Sequence, residues 1–301
     1  MKPRTILVVV SIIVTTAVAA LPPRLRGWGD DPHRSINLVA ARVLPEDMPA
    51  FFRNAAARLS FLGPEPDRWR DERQVYKALR EASGPDHFID IDDPQNFRAL
   101  PDDRFKYADW LRAAGKDPKD IGFLPYACLE GYERVQVLFR LWRDPRYEAE
   151  RNQIEENIIF YAGVLGHYVG DGANPLHTTV HYNGWTTSLN PDRFSREPLH
   201  WRFESDYAQA QIKREDFAGL VKRAERLPDP FSDIMRHILD SHSAVQEVYR
   251  LEKQARWDRD NRNPESKQFV IKRLAAAAQM LANLWYTAWM DSTIPPSARP
   301  R

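Results

Sequence analysis

From residue 28 onward, apolar positions recur three and four residues apart, the spacing of helices that bury one face. SINLVAARVL (35–44) and PEDMPAFFRNAAARLSFL (45–62) predict helices, the second with Pro45 near its start. Gly63, Pro64 and Pro66 break the pattern and predict a loop through 63–72. DERQVYKALREA reads as a short helix. GPDHFIDIDDPQNF (84–97) is irregular and acidic, and PDDRFKYADWLRAAGKDP holds one amphipathic turn. Two long helical patterns follow, over 124–142 and 151–171. The stretch 178–198, with Asn183-Gly184 and two prolines, predicts a long loop. Residues 199–212, 228–256 and 265–291 are helical again, and the last has the cleanest amphipathic pattern in the chain. Alternation of the strand type never persists, and there is no internal repeat. The expectation is a single all-α helical bundle over residues 28–291, followed by a flexible tail at 292–301.

Composition narrows this picture. The chain has 301 residues, enough for one large domain with a sizeable core. Its 43 basic and 42 acidic residues nearly balance, which argues against a strong footprint for duplex nucleic acid. A substrate held through a metal stays open. The one cysteine, Cys128, excludes an internal disulfide and reads as a buried thiol on a helix. The first twenty residues, MKPRTILVVVSIIVTTAVAA, start with Lys2 and Arg4, continue through an apolar run and end in small residues. That is the pattern of a secretory signal peptide, with 21–27 as a spacer or pro-segment. The expected mature protein is secreted or periplasmic, and without disulfides its stability must come from its core or from bound metal.

The candidate chemistry lies in HYVGDGANPLH. His167 and Asp171 are four apart, so a helix points them the same way. Asn174-Pro175 then ends the helix and His177 follows. Imidazoles and a carboxylate converging at a helix end suit zinc and similar ions, although a hydrogen-bonded His–Asp pair at a helix terminus has the same spacing. LHWRFESDY repeats the theme, with His200 and Glu204 four apart. Facing pairs of this kind on neighbouring helices are how bundles hold multinuclear metal sites. Upstream, His33 follows Trp28 by five residues, Asp67 lies beyond a helix end and His87 sits in the acidic loop. His237 and His242, on an amphipathic helix, read as polar-face residues.

In this order, from Trp28 through H-x3-D-x5-H to H-x3-E, the residues resemble the zinc-dependent phospholipase C and single-strand-specific nuclease superfamily. The resemblance spans most of the chain after residue 27. It implies a secreted all-helical phosphodiesterase with three zinc ions. One ion would be held by Asp67, His87, His167 and Asp171. A second would share Asp171 and take His33 and the backbone amino and carbonyl groups of Trp28. The third would be held by His177, His200 and Glu204. A metal-bound hydroxide would attack the phosphodiester, with Asp67 and Asp171 as the catalytic carboxylates. Asp71, sixteen residues before His87 where Asp67 is twenty before it, is an alternative ligand. The Trp28 site also requires trimming to a free amino group at that residue. His181, four after His177, could hydrogen-bond substrate, support the third ion from behind its ligands, or face solvent.

The resemblance leaves the substrate open between a phospholipid, cleaved as by a phospholipase C, and a single-stranded nucleic acid cleaved to 5′-phosphates; the phospholipid is placed first. Transient contact with a membrane surface is part of that expectation, and no stable protein partner is. A non-catalytic exported zinc protein is the rival from another class. Trp185, Trp201 and Tyr182 could stack on a base or line a headgroup pocket; their spacing favours core packing.

Overall fold

The computed structural model describes residues 29–70, 76–92 and 100–293. The signal-peptide and spacer readings, Trp28, Asp71 and most of the expected tail lie outside the described residues. Within them the architecture is all-α, a helical bundle with no strand. No helix among the described residues is long and apolar enough to cross a membrane.

The centre is an antiparallel pair, α4 (Leu124–Arg143) and α5 (Arg151–Gly172), joined through Pro145. Three further helices close around α5. They are α1 (Asp30–Arg42), α2 (Ala56–Leu62) and α8 (Pro264–Asp291). From Ala162 to Gly172 every residue of α5 is buried. A helix apolar or small on all sides belongs in the middle of a fold rather than on its surface. Trp285 of α8 donates its indole N–H to the Ala162 carbonyl at 3.1 Å, and its ring meets Phe52 edge-on. Phe52 in turn meets Phe139. Each of these fully buried rings contributes on the order of 2–3 kcal/mol by leaving water.

Small residues set how closely the helices approach. At Gly166 a Cβ would collide with the Asn37 amide of α1, and at Gly170 it would press on the His33 ring. Asn37 uses that space to donate to the Leu59 carbonyl at 2.8 Å and to the Gly163 carbonyl at 2.9 Å. One buried amide thus ties α1, α2 and α5 together.

Several boundaries differ from the expectation. Helix α1 starts at Asp30, so His33 is already inside it, with Pro32 tolerated in a first turn whose N–H groups have no helical partner. The stretch 45–62 splits into Ala50–Arg53 and α2 at a tight turn. The expected loop at 63–72 holds the short helix α3 (Glu65–Trp69), because its prolines fall where a helix start accepts them. The stretch 228–256 divides at Ala244 into α6 (Pro230–Ser243) and α7 (Val245–Gln254).

Candidate metal centre

The last turns of α5 carry His167 and Asp171, both fully buried. His167 donates Nδ1–H to the Gly63 carbonyl at 2.9 Å, between α2 and α3. This bond fixes the ring orientation and points Nε2 inward. Within that space lie Asp171 Oδ2 at 3.2 Å, His87 Nδ1 at 3.0 Å and Asp67 Oδ1 at 3.7 Å. His33 stacks on His167 with ring centroids 4.0 Å apart, and its Nε2 lies 3.5 Å from Asp171 Oδ1. Two donor groups result, His33–His167–Asp171 and Asp67–His87–His167, and His167 belongs to both.

A third group, His177–His200–Glu204, stands next to them. His177 follows the Asn174-Pro175 turn and donates Nδ1–H to the His87 carbonyl at 2.6 Å. The extended backbone after His87 runs alongside, with Ile89 and Ile91 N–H bonded to the His177 and Thr178 carbonyls. Those bonds bind the groups into one cluster, and His177 Nδ1 is 3.7 Å from Asp171 Oδ1. His200 and Glu204 come from a helical segment wound as a π-helix over Arg202–Tyr207. Such local widening is frequent at functional sites. Glu204 Oε2 is 2.8 Å from His200 Nε2 and 3.3 Å from His177 Nε2, and it accepts from the Asn174 amide at 3.1 Å.

This donor set fits metal ions. With its Nδ1 bonded to the His87 carbonyl, His177 points Nε2 toward Glu204 Oε2, and the Nε2 atoms of His177 and His200 stand 3.1 Å apart. A cation between them satisfies all three atoms at once. Asp67 Oδ2, Asp171 Oδ1 and Glu204 Oε1 are buried without a hydrogen-bond partner. Burial pushes the imidazoles of His87 and His200 down to about 3 and about 4, so both keep a free lone pair at neutral pH. Burial also lifts the Glu204 carboxyl to about 8, so a neighbouring cation is what brings it to the carboxylate there. Asp67 and Asp171 go the other way. Burial raises both, but His167 outweighs it, with Arg70 at Asp67 and His177 at Asp171, and both lie below the usual carboxylate range.

No family model matches this chain, and none of the curated proteins compared with it does. Among solved structures, it is similar to the Clostridium perfringens alpha-toxin, at 16% identity over 90% of this chain, with a TM-score of 0.42. It is also similar to the alpha toxin from Clostridium absonum, at 15% identity over 89% of this chain, with a TM-score of 0.44. The chain spans 65% of the length of the first and 67% of the second.

Of the nine residues singled out in the sequence, the structure brings together eight: His33, Asp67, His87, His167, Asp171, His177, His200 and Glu204. The ninth, Trp28, is outside the described residues. The cluster forms part of the wall of a cavity of about 330 Å³, where His87, His177 and His200 meet Arg70, Phe88, Lys119 and Tyr182. Arg70 pairs with Asp67 Oδ1 at 2.6 Å.

Other side chains take places that the sequence alone did not assign. His181 neither faces solvent nor joins the third group; it stacks on Trp185 at 3.9 Å. Trp185 packs further on Phe194 and Tyr249, as its spacing suggests, whereas Tyr182 is 46% exposed at the cavity. His237 and His242 are not free polar-face residues. They donate to the Val169 and Thr178 carbonyls at 3.2 and 2.8 Å and so brace the two backbone segments that carry the cluster. Asn174, which holds Glu204, was readable only as a helix breaker; its place inside the His-Asp-His motif was the signal available.

Proposed function

We propose that the protein is an exported zinc-dependent phosphodiester hydrolase of the phospholipase C type. The observation that carries this reading is the meeting of eight donors, seven of them buried, in three adjoining groups, three of whose imidazoles front a cavity. A purely structural zinc site is closed on all sides by protein ligands, whereas one built for turnover keeps an accessible side. Zinc bound there supplies an activated water and neutralises phosphate charge. The surrounding side chains account for substrate binding. Arg70, oriented by Asp67, and Lys119 offer cations for non-bridging phosphate oxygens, while Phe88, Leu176 and Tyr182 give the cavity an apolar side. Asp67, whose Oδ2 has no hydrogen-bond partner, would orient the attacking water, Asp171 joins the donor groups, and Asn174 aims Glu204. The basic and apolar leader at 1–20 supports export.

A single-strand nuclease is the second reading. Two aromatic rings, Phe88 and Tyr182, beside two cations are what an unpaired base and its phosphate need. Turnover on phosphatidylcholine vesicles and on a single-stranded oligonucleotide, each with and without a zinc chelator, decides between them. The expected result is chelator-sensitive release of phosphocholine with the oligonucleotide intact. Cleavage of the oligonucleotide alone selects the nuclease, and zinc binding with no turnover on either selects a non-catalytic zinc protein.

A further inference from the structure

Phe61, at the end of α2, is an exposed apolar ring, with 43% of its surface accessible. Three guanidinium groups stand over it: Arg68 at 4.6 Å from the ring centroid, Arg58 at 5.0 Å and Arg34 at 5.5 Å. Cation–π attraction explains why they gather on an aromatic ring despite repelling one another. Glu65 neutralises only Arg68, at 2.5 Å. No carboxylate among the described residues pairs with Arg34 or Arg58. In a chain of net charge +1 this is a local concentration of positive charge around an apolar tip.

We propose that Phe61 with Arg34, Arg58 and Arg68 is a docking patch for membranes that carry anionic lipid. The chemistry matches on two counts. Guanidinium groups with unused N–H donors bind lipid phosphates, and basic residues at a surface are drawn to a negatively charged leaflet. An aromatic ring in the same patch can enter the headgroup region. The geometry disfavours a single-stranded nucleic acid here, because the guanidinium groups occupy the ring faces on which a base would stack. The patch is also joined rigidly to the metal centre. Arg34 follows His33, Arg68 follows Asp67, and Phe61 is two residues from the carbonyl that orients His167. Docking therefore holds the donor cluster at a fixed distance from the surface.

Cosedimentation of the full chain tests this, using vesicles of phosphatidylcholine and phosphatidylglycerol in equal parts against vesicles of phosphatidylcholine alone. The wild type is expected to partition onto the anionic vesicles and to release as salt is raised. Losing each arginine should weaken partitioning about fivefold, and Arg34→Gln with Arg58→Gln roughly 25-fold, at the strength typical of basic residues near a charged leaflet. Phe61→Ser should weaken it with the salt dependence kept. Arg134→Gln, an exposed arginine elsewhere, should change nothing beyond its share of net charge, and circular dichroism checks that every variant is folded. Equal partitioning of the double variant and the wild type overturns the proposal, as does equal binding to both vesicle types. Loss of oligonucleotide binding with vesicle binding intact reassigns the patch to nucleic acid and overturns it too. The readout is binding, so the hydrolase reading and this one fail separately.

Discussion

The chain carries two His-x3-acid pairs with the same spacing and different surroundings. His167 and Asp171 lie in a regular α-helix at the centre of the fold, both sealed from solvent. His200 and Glu204 lie in a short π-wound segment, with His200 partly open to the cavity and Glu204 steadied by Asn174. The first pair is shared, because His167 serves two donor groups and Asp171 reaches His33, His87 and His177. The second pair serves one group. Equal spacing in sequence therefore means equal direction on a helix, but the number of contacts each donor makes depends on what packs around it.

Substitution of the two histidines is the strongest way to break the comparison. His167→Ala should reduce zinc binding in two of the three groups and lower turnover by more than roughly 100-fold, the upper effect typical of merely supporting residues at a metal. His200→Ala should reduce zinc binding in one group only. Metal analysis after dialysis, beside the rate, checks both, and equal zinc loss in the two variants would refute the shared role of His167. The far-ultraviolet helical signal of each variant should largely survive with zinc in excess.

Asn174→Ala sharpens the comparison from the side of the second pair. Without its amide, Glu204 loses an orienting bond, and zinc affinity in that group should fall about 10-fold to 100-fold. Competition with a chromophoric chelator measures this, and the other two groups should be unaffected.

Gly166→Ala tests the packing around the first pair. Its Cβ would drive Asn37 away from the carbonyls it bridges, so unfolding in denaturant should come earlier by about 1–3 kcal/mol. An unchanged midpoint would show that α1 and α5 can separate at no cost.

The smallest expected effect comes from His237, which braces the last turn of α5. Burial holds its imidazole at about 4 in the folded chain, below the ordinary 6.5. A depressed folded pKa means that the unfolded chain binds the extra proton. The stability linked to this group is therefore complete above pH 6.5 and is lost as pH falls toward 4, by at most about 2 kcal/mol at pH 5. Denaturant midpoints at pH 7 and pH 5 should differ less in His237→Gln than in the wild type.

Much of the candidate site is legible in the sequence. Helical periodicity located α4, α5 and α8, and the four-residue intervals placed each histidine with its carboxylate on one face. Other features were invisible for a physical reason: each depends on an approach between distant parts of the chain. Nothing local to His237 says that its ring reaches the Val169 carbonyl, and nothing local to Tyr182 says that it stays exposed while Trp185 is covered. The helix boundaries near 63–69 differ from the sequence pattern because proline both breaks and starts helices, and its effect depends on which turn it occupies.

The sequence by itself determined the helical class, through apolar spacing, and the identity and order of the candidate donors, through residue chemistry. Residue spacing brings none of Asp67, His87 and His33 to His167; the tertiary structure decided that all three meet there, with His33 against the same helix at Gly170. Backbone dihedrals and side-chain spacing act over a few residues and are written locally. Convergence of donors from six segments depends on close packing of whole helices, and that is set by the fold as a unit.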